Sequence, residues 1–332
     1  MKKISLLVLS IFVVMTLSAC NKSLCEGENC IYVTVYPMKY LVEEIAGDYV
    51  DVVRVPGSQV HSESIDWSAK EIIDMKNADI LFYINGGVDT YIPEKEESVF
   101  KDSNVKLVDI SETVVYNEVC FSHEHDHTGE EVEETYVCDE NSLSEDPHFW
   151  LDPVRMLIAA EVVRDELILE YPNNETAFNE NFDKLKIKLE LLDTDFQLMA
   201  DDATKPIITT VMLFTYWNLR YDIEILSITT SAHSSESSAS DIIHFTDEAA
   251  FHEIHYILFE KNTNSPAGDG VLDELIKIDP TASAAYLHGL GNLTTEEMDV
   301  GLNYLSIMYD NLIVLKDDDS IAAVASVMHE EE

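Results

Sequence analysis

The chain has 332 residues and a formal charge of −44, from 64 acidic against 20 basic side chains. A field of that sign repels nucleic acid and other polyanions, so neither is an expected partner, while cations are drawn to the surface. Solubility alone is an equally good account of the acidity, and the length leaves room for two domains of ordinary size.

At the N-terminus "MKKISLLVLSIFVVMTLSAC" places Lys2 and Lys3 before an apolar run, then small residues, then Cys20. That is the layout of a secretory signal over 1–19, too short to be a stable membrane span. "LSAC" resembles a bacterial lipobox, which implies lipidation of Cys20 and a linker over 20–30. The other cysteines are Cys25, Cys30, Cys120 and Cys138. In an oxidising compartment they form an even set with three possible pairings. A short Cys25–Cys30 loop and a Cys120–Cys138 tie at the base of a longer loop form one option. A four-cysteine zinc site is a competitor, weakened by the lack of a CxxC pair.

"IYVTVY" (31–36), "YVDVVRV" (49–55), "DILFYIN" (79–85) and "VKLVDI" (105–110) read as strands. Helices fall between them. One follows Pro37, and another opens at Ser68 with Glu71 spaced as a capping box. Residues 121–145, acidic and without apolar period, read as an exposed loop carrying His123, His125 and His127. Helical character returns from Pro153. A long helix over 174–201 carries the stripe Phe178, Phe182, Leu185, Leu189, Leu192 and Phe196. Strands then restart at 206–212, 221–228, 255–260 and 283–291, with a helix over 238–253. A capping box at Thr294 and Glu297 opens a C-terminal helix to about 315. The expected fold is α/β. An N-terminal lobe (31–173) and a C-terminal lobe (202–332), each a mostly parallel sheet flanked by helices, are joined by one long rigid helix.

His61, His148, His233 and His288 fall at strand ends or in loops, where open parallel sheets collect their ligands. Imidazole suits zinc and its neighbours, and three or four such donors in a tetrahedron favour zinc over manganese, which prefers oxygen. His148 stands in "EDPHFWLDP", framed by Pro147 and Pro153, which limit the backbone around it. No HExxH helix, GxSxG turn or Walker loop supports an enzyme, so a zinc hydrolase is the weaker alternative.

"EDPHFWLDP" closely matches DPHxWLDP of the zinc- and manganese-binding lipoproteins that serve ABC importers. "HSES…SAKEIIDMKNADILFYING" and "GLGNLTTEEMDVGLNYLSIMYDNLIVLK" are similar to two other stretches of that family. The resemblance spans nearly all of 31–316. It implies two α/β lobes on a rigid helix, with metal bound between them. His61 and His148 are the implied first two ligands. Two departures stand out. The third ligand position, three residues before Phe214, is Val211, and the late aspartate position is His288. The expected site is therefore His61, His148 and His288 around Zn2+, with His233, water or a carboxylate such as Glu63 as fourth donor. Mn2+ is the weaker choice. His123, His125 and His127 resemble an accessory capture loop. The implied protein is a monomeric, extracytoplasmic solute-binding lipoprotein, held to the cell membrane by lipid and delivering zinc to a permease. The alternative is a surface adhesin or accessory protein with a degenerate metal site.

Overall fold

The computed structural model describes residues 25, 29–58, 65–86, 88–120, 143–203, 205–229 and 238–316. Cys30–Val33 (β1) is buried at all four positions. It is followed by Tyr36–Ala46 (α1), Asp51–Arg54 (β2), Ala69–Lys76 (α2), Ile80–Tyr83 (β3), Tyr91–Lys95 (α3) and Lys106–Asp109 (β4). The four strands form one parallel sheet in the order β2-β1-β3-β4, with Tyr32 opposite Val53 on one side and Leu81 on the other. Helices cover both faces, so the central strands are continuous apolar runs rather than alternating ones. The Ser68 capping box forms as the spacing predicts: Glu71 N donates to Ser68 Oγ at 3.3 Å, and Ser68 N to Glu71 Oε2 at 2.7 Å.

Asn117–Cys120 (β5) and Leu143–Asp146 (β6) pair antiparallel, Asn117 opposite Asp146. The expected loop over 121–145 therefore ends in a strand. Its sequence, "LSED", is too polar and short to show the period of a strand. Pro153–Glu170 (α4) and Glu175–Asp202 (α5) follow. The 28-residue α5 buries the expected stripe and extends it to Met199. It packs against α1 and α4. Burying each of these large side chains contributes about 1.5–3 kcal/mol.

The second lobe runs Ile207–Thr209 (β7), Thr215–Tyr221 (α6), Ile225–Ser227 (β8), Ala239–Phe251 (α7), Tyr256–Glu260 (β9), Pro266–Ile278 (α8) and Ser283–Leu287 (β10). Its parallel sheet has the order β10-β9-β7-β8. The expected single C-terminal helix is two, Thr295–Asp299 (α9) and Tyr304–Lys316 (α10). Gly301 separates them at φ 83°, a left-handed setting that ends a helix and suits glycine. Helix α10 closes onto α5. One apolar cluster reaches from Ile31 and Val33 through α5 to Leu258, Leu287 and Trp217, so the two lobes share a core. No helix among the described residues is long and apolar enough to cross a membrane.

Cys25 is disulfide-bonded to Cys30, their Cα atoms 5.8 Å apart. That corrects the four-cysteine zinc alternative, because two of its thiolates are spent. It also removes the pairings that joined either residue to Cys120 or Cys138. Cys138 and the lipidation candidate Cys20 lie outside the described residues.

Candidate metal site between the lobes

His148 is buried directly after β6. Its backbone N donates to Asp146 Oδ1 at 2.9 Å, and its ring Nδ1 lies 2.6 Å from the same oxygen. Burial pushes the Asp146 carboxyl up, but the His148 ring and the hydrogen bonds from His148 and Thr215 outweigh it and hold the group below the usual range. Asp146 is thus a carboxylate, which only accepts, so Nδ1 donates to it, and in the neutral ring the lone pair then falls on Nε2. This is how a carboxylate prepares a histidine for a metal. The C-terminal lobe steadies Asp146: the Thr215 hydroxyl donates to Oδ2, and Tyr216 OH donates to its carbonyl at 2.6 Å. The fixed turn that follows has a local cause. Asp152 caps α4 by accepting from Val154 N at 2.9 Å, with Pro153 as the first helical residue.

His288 follows β10 and is buried too. Asn311 grips its backbone, accepting from His288 N at 2.8 Å and donating to His288 O at 3.0 Å. Its ring is wired the other way. Leu290 N donates to Nδ1 at 2.8 Å, so the neutral ring keeps its proton on Nε2. Leu290 reaches that position at φ 64°, a strained setting for a branched residue. His288 Nε2 lies 3.4 Å from Glu297 Oε1 without the alignment of a hydrogen bond. Burial lowers the His288 pKa, with Glu297 acting against it. Glu297 is itself held down to about 2: burial raises it, and the Thr294 N–H, His288, Asn262 and Lys261 prevail. As it stands, His288 is a proton donor facing a carboxylate. To ligate through Nε2 the ring must leave Leu290 and move its proton.

The segments that carry the two histidines are joined at one seam through Trp150, whose ring centroid lies 5.2 Å from that of His148. Trp150 Nε1 donates to Gly289 O at 2.8 Å, across the lobes. The approach is close: a Cβ on Gly289 would sit 2.3 Å from Leu213 Cδ2, so that side chain would have to shift. Gly289 N donates to Glu260 Oε1 at 3.3 Å, and burial raises the Glu260 pKa. Val211 packs into the core at 3 % exposure and offers no donor. A cleft of about 1130 Å³ opens between the lobes beside the hairpin, lined among others by Tyr116, Glu118, Glu145, Phe214 and His244; neither seam histidine lines it. Among the described residues no three His, Cys, Asp or Glu side chains converge as a metal cage. His61, Glu63, His233, His123, His125 and His127 lie outside those residues. Sequence reasoning did not assign Asp146 its role, although a carboxylate two residues before His148 was the available signal. The long-range partners Asn311 and Glu260 left no signal.

The fold and the seam define a bilobal architecture, two parallel-sheet lobes on a rigid helix with buried histidines where the lobes meet. The chain belongs to the family described as zinc-uptake complex component A, periplasmic (ZnuA), whose model matches residues 31–318. It is 28% identical over 319 residues to the zinc-binding lipoprotein AdcA of Streptococcus pneumoniae, covering 95% of this chain and 61% of that protein. The chain thus spans under two thirds of that relative. It is 28% identical over 288 residues to the high-affinity zinc uptake system protein ZnuA of Bacillus subtilis, 86% of each chain. The Zn(II)-bound ZnuA-like domain of S. pneumoniae AdcA superimposes with a TM-score of 0.66 at 26% identity, covering 87% of this chain and 98% of that one.

Proposed function

We propose that the protein captures zinc outside the cytoplasm and hands it to an ABC-type permease, performing no chemistry on its cargo. The Asp146–His148 pair carries this reading: a buried imidazole whose tautomer is set by a carboxylate, with Nε2 as the donor, at the meeting of two lobes. His61 is the second donor. His288 is the third, once its ring leaves Leu290, and His233 or a solvent oxygen completes the shell. Nitrogen donors favour zinc over manganese. His123, His125 and His127 collect further zinc at lower affinity than the framed His148. Cys20 carries the lipid that keeps the monomeric protein at the membrane, and a second disulfide joins Cys120 to Cys138.

The test is competition for zinc against a chromogenic chelator, using residues 20–332. His148→Ala abolishes tight binding. His288→Ala weakens it at least tenfold, about 1.4 kcal/mol. A parent protein without one tight equivalent sinks the zinc reading. A second reading, an adhesin with a degenerate site, draws on the buried Val211 and on the occupied Nδ1 of His288. It gains if His288→Ala binds zinc as the parent does and the parent binds weakly.

A further inference from the structure

Arg54 ends β2, the edge strand of the N-terminal sheet, and is partly buried there. Among the described residues its guanidinium makes three hydrogen bonds. Nε donates to Thr34 O at 3.1 Å, Nη2 to Ser58 O at 3.1 Å, and Nη1 to Asn292 Oδ1 at 3.4 Å. The first two lie in the N-terminal lobe and the third in the C-terminal lobe. Asp89 balances the charge from within the N-terminal lobe. It is buried, and its carboxylate accepts from the Thr34 hydroxyl, from Ile84 N at 3.0 Å and from Tyr91 OH at 3.0 Å. Burial lowers Arg54 to about 10, with Asp89 opposing, so the cation persists at neutral pH. An apolar side chain of the same volume could not make the guanidinium's bonds, which link backbone carbonyls of one lobe to an amide of the other.

Ser58 closes the turn that leads into residues 59–64, with Ser58 N donating to Val55 O at 3.1 Å. Trp67 Nε1 holds the same turn from its other side, donating to Pro56 O at 2.9 Å. Asn292 ends the stretch that follows His288, and that stretch is already tied to the N-terminal lobe twice. Trp150 reaches Gly289 O, and Tyr36 N donates to Gly291 O at 3.4 Å. Among the described residues Arg54 adds a third tie, and it joins this stretch to the turn before 59–64.

We propose that Arg54 is a positioning residue, an interlobe clasp that fixes the turn at Ser58 against Asn292 and so sets how fast cargo leaves the seam. This rests on the zinc reading above. Asn292→Ala removes the interlobe contact and leaves Arg54 with Asp89 in place. Arg54→Met keeps the stem and removes the fork. Two measurements apply to each variant and to the double: the zinc dissociation rate under excess chelator in stopped flow, and amide hydrogen exchange across 289–292 in the metal-free protein. Each single variant should raise the dissociation rate about tenfold, the worth of one hydrogen bond to a charged group, with association unchanged. Each should also speed exchange at 289–292, and the double should go no further than Arg54→Met. Dissociation and exchange equal to the parent in Asn292→Ala, or additive effects in the double, overturn the clasp. If the parent holds no tight zinc, the zinc reading fails alone, and exchange at 289–292 still decides whether Arg54 closes the seam.

Discussion

In His148 the ring proton is held on Nδ1 by Asp146, so Nε2 presents the lone pair that a metal needs. In His288 the Leu290 N–H faces Nδ1, and Nε2 keeps the proton. Both residues were legible as candidates from the sequence, one from its proline frame and one from its place after a strand. Their tautomers were not legible, because each is set by a hydrogen bond made only when the chain has turned. Asp146→Asn tests the first assignment. An amide cannot hold the ring proton as a carboxylate does, and loss of such an outer partner typically weakens metal binding about 10–100-fold. Chelator competition reads that loss, while an unchanged far-ultraviolet circular dichroism spectrum shows that the fold persists. Zinc affinity equal to the parent would mean that Asp146 is there to fix the turn and not the ring.

At the scale of elements, period and caps carried most of the sequence reading. The stripe on α5 follows the 3.6-residue period without a break, and all six expected side chains are buried. Leu189→Ala should cost about 2–5 kcal/mol, while Ile187→Glu on the exposed face should stay within about 0.5 kcal/mol. Urea unfolding compares the two, and equal losses would contradict the burial. Helix α8 leaves little local signal, because the two glycines of "SPAGDG" oppose its propensity. Packing explains the first of them: a Cβ on Gly268 would meet Thr210 Cγ2 at 2.4 Å and Phe259 Cε1 at 2.8 Å. After α8, Asp279 contacts His255 and accepts from Thr281, contacts that hold its carboxyl down to about 2 from 3.8. A folded-state value below the unfolded one adds stability above 3.8, and that stability is lost as pH falls toward 2. Asp279→Asn should therefore flatten the acid limb of an unfolding titration in that window alone. The effect is small, since the group is open to solvent. A difference that persists unchanged below pH 2 would assign the loss to the hydrogen bonds from Thr281 instead of the charge.

For the whole molecule, the two-lobe plan was legible because strand–helix alternation stops at the long helix and restarts after it. How the lobes meet was not. The contacts that join them pair residues such as Trp150 with Gly289, Tyr304 with Trp150 and Trp217 with Leu151, and no local pattern encodes separations of that size. These bonds are buried and sit on a core shared by both lobes. A shared core argues against free hinging, since separating the lobes would expose apolar surface at about 25 cal/mol per Å². The molecule should then unfold in one transition, and loading it with zinc should not move the lobes by more than about 2 Å, the scale of a true rearrangement on binding. Small-angle scattering of metal-free and zinc-loaded protein measures the second expectation, and scanning calorimetry the first. Trp150→Phe sharpens both. It keeps most of the ring's apolar area and leaves the Gly289 carbonyl without its donor, at a cost of about 1–3 kcal/mol. If the seam holds the lobes together, that variant should melt earlier, still in one step. Two resolved transitions in the parent would show instead that each lobe is stable alone and that the seam joins them only weakly.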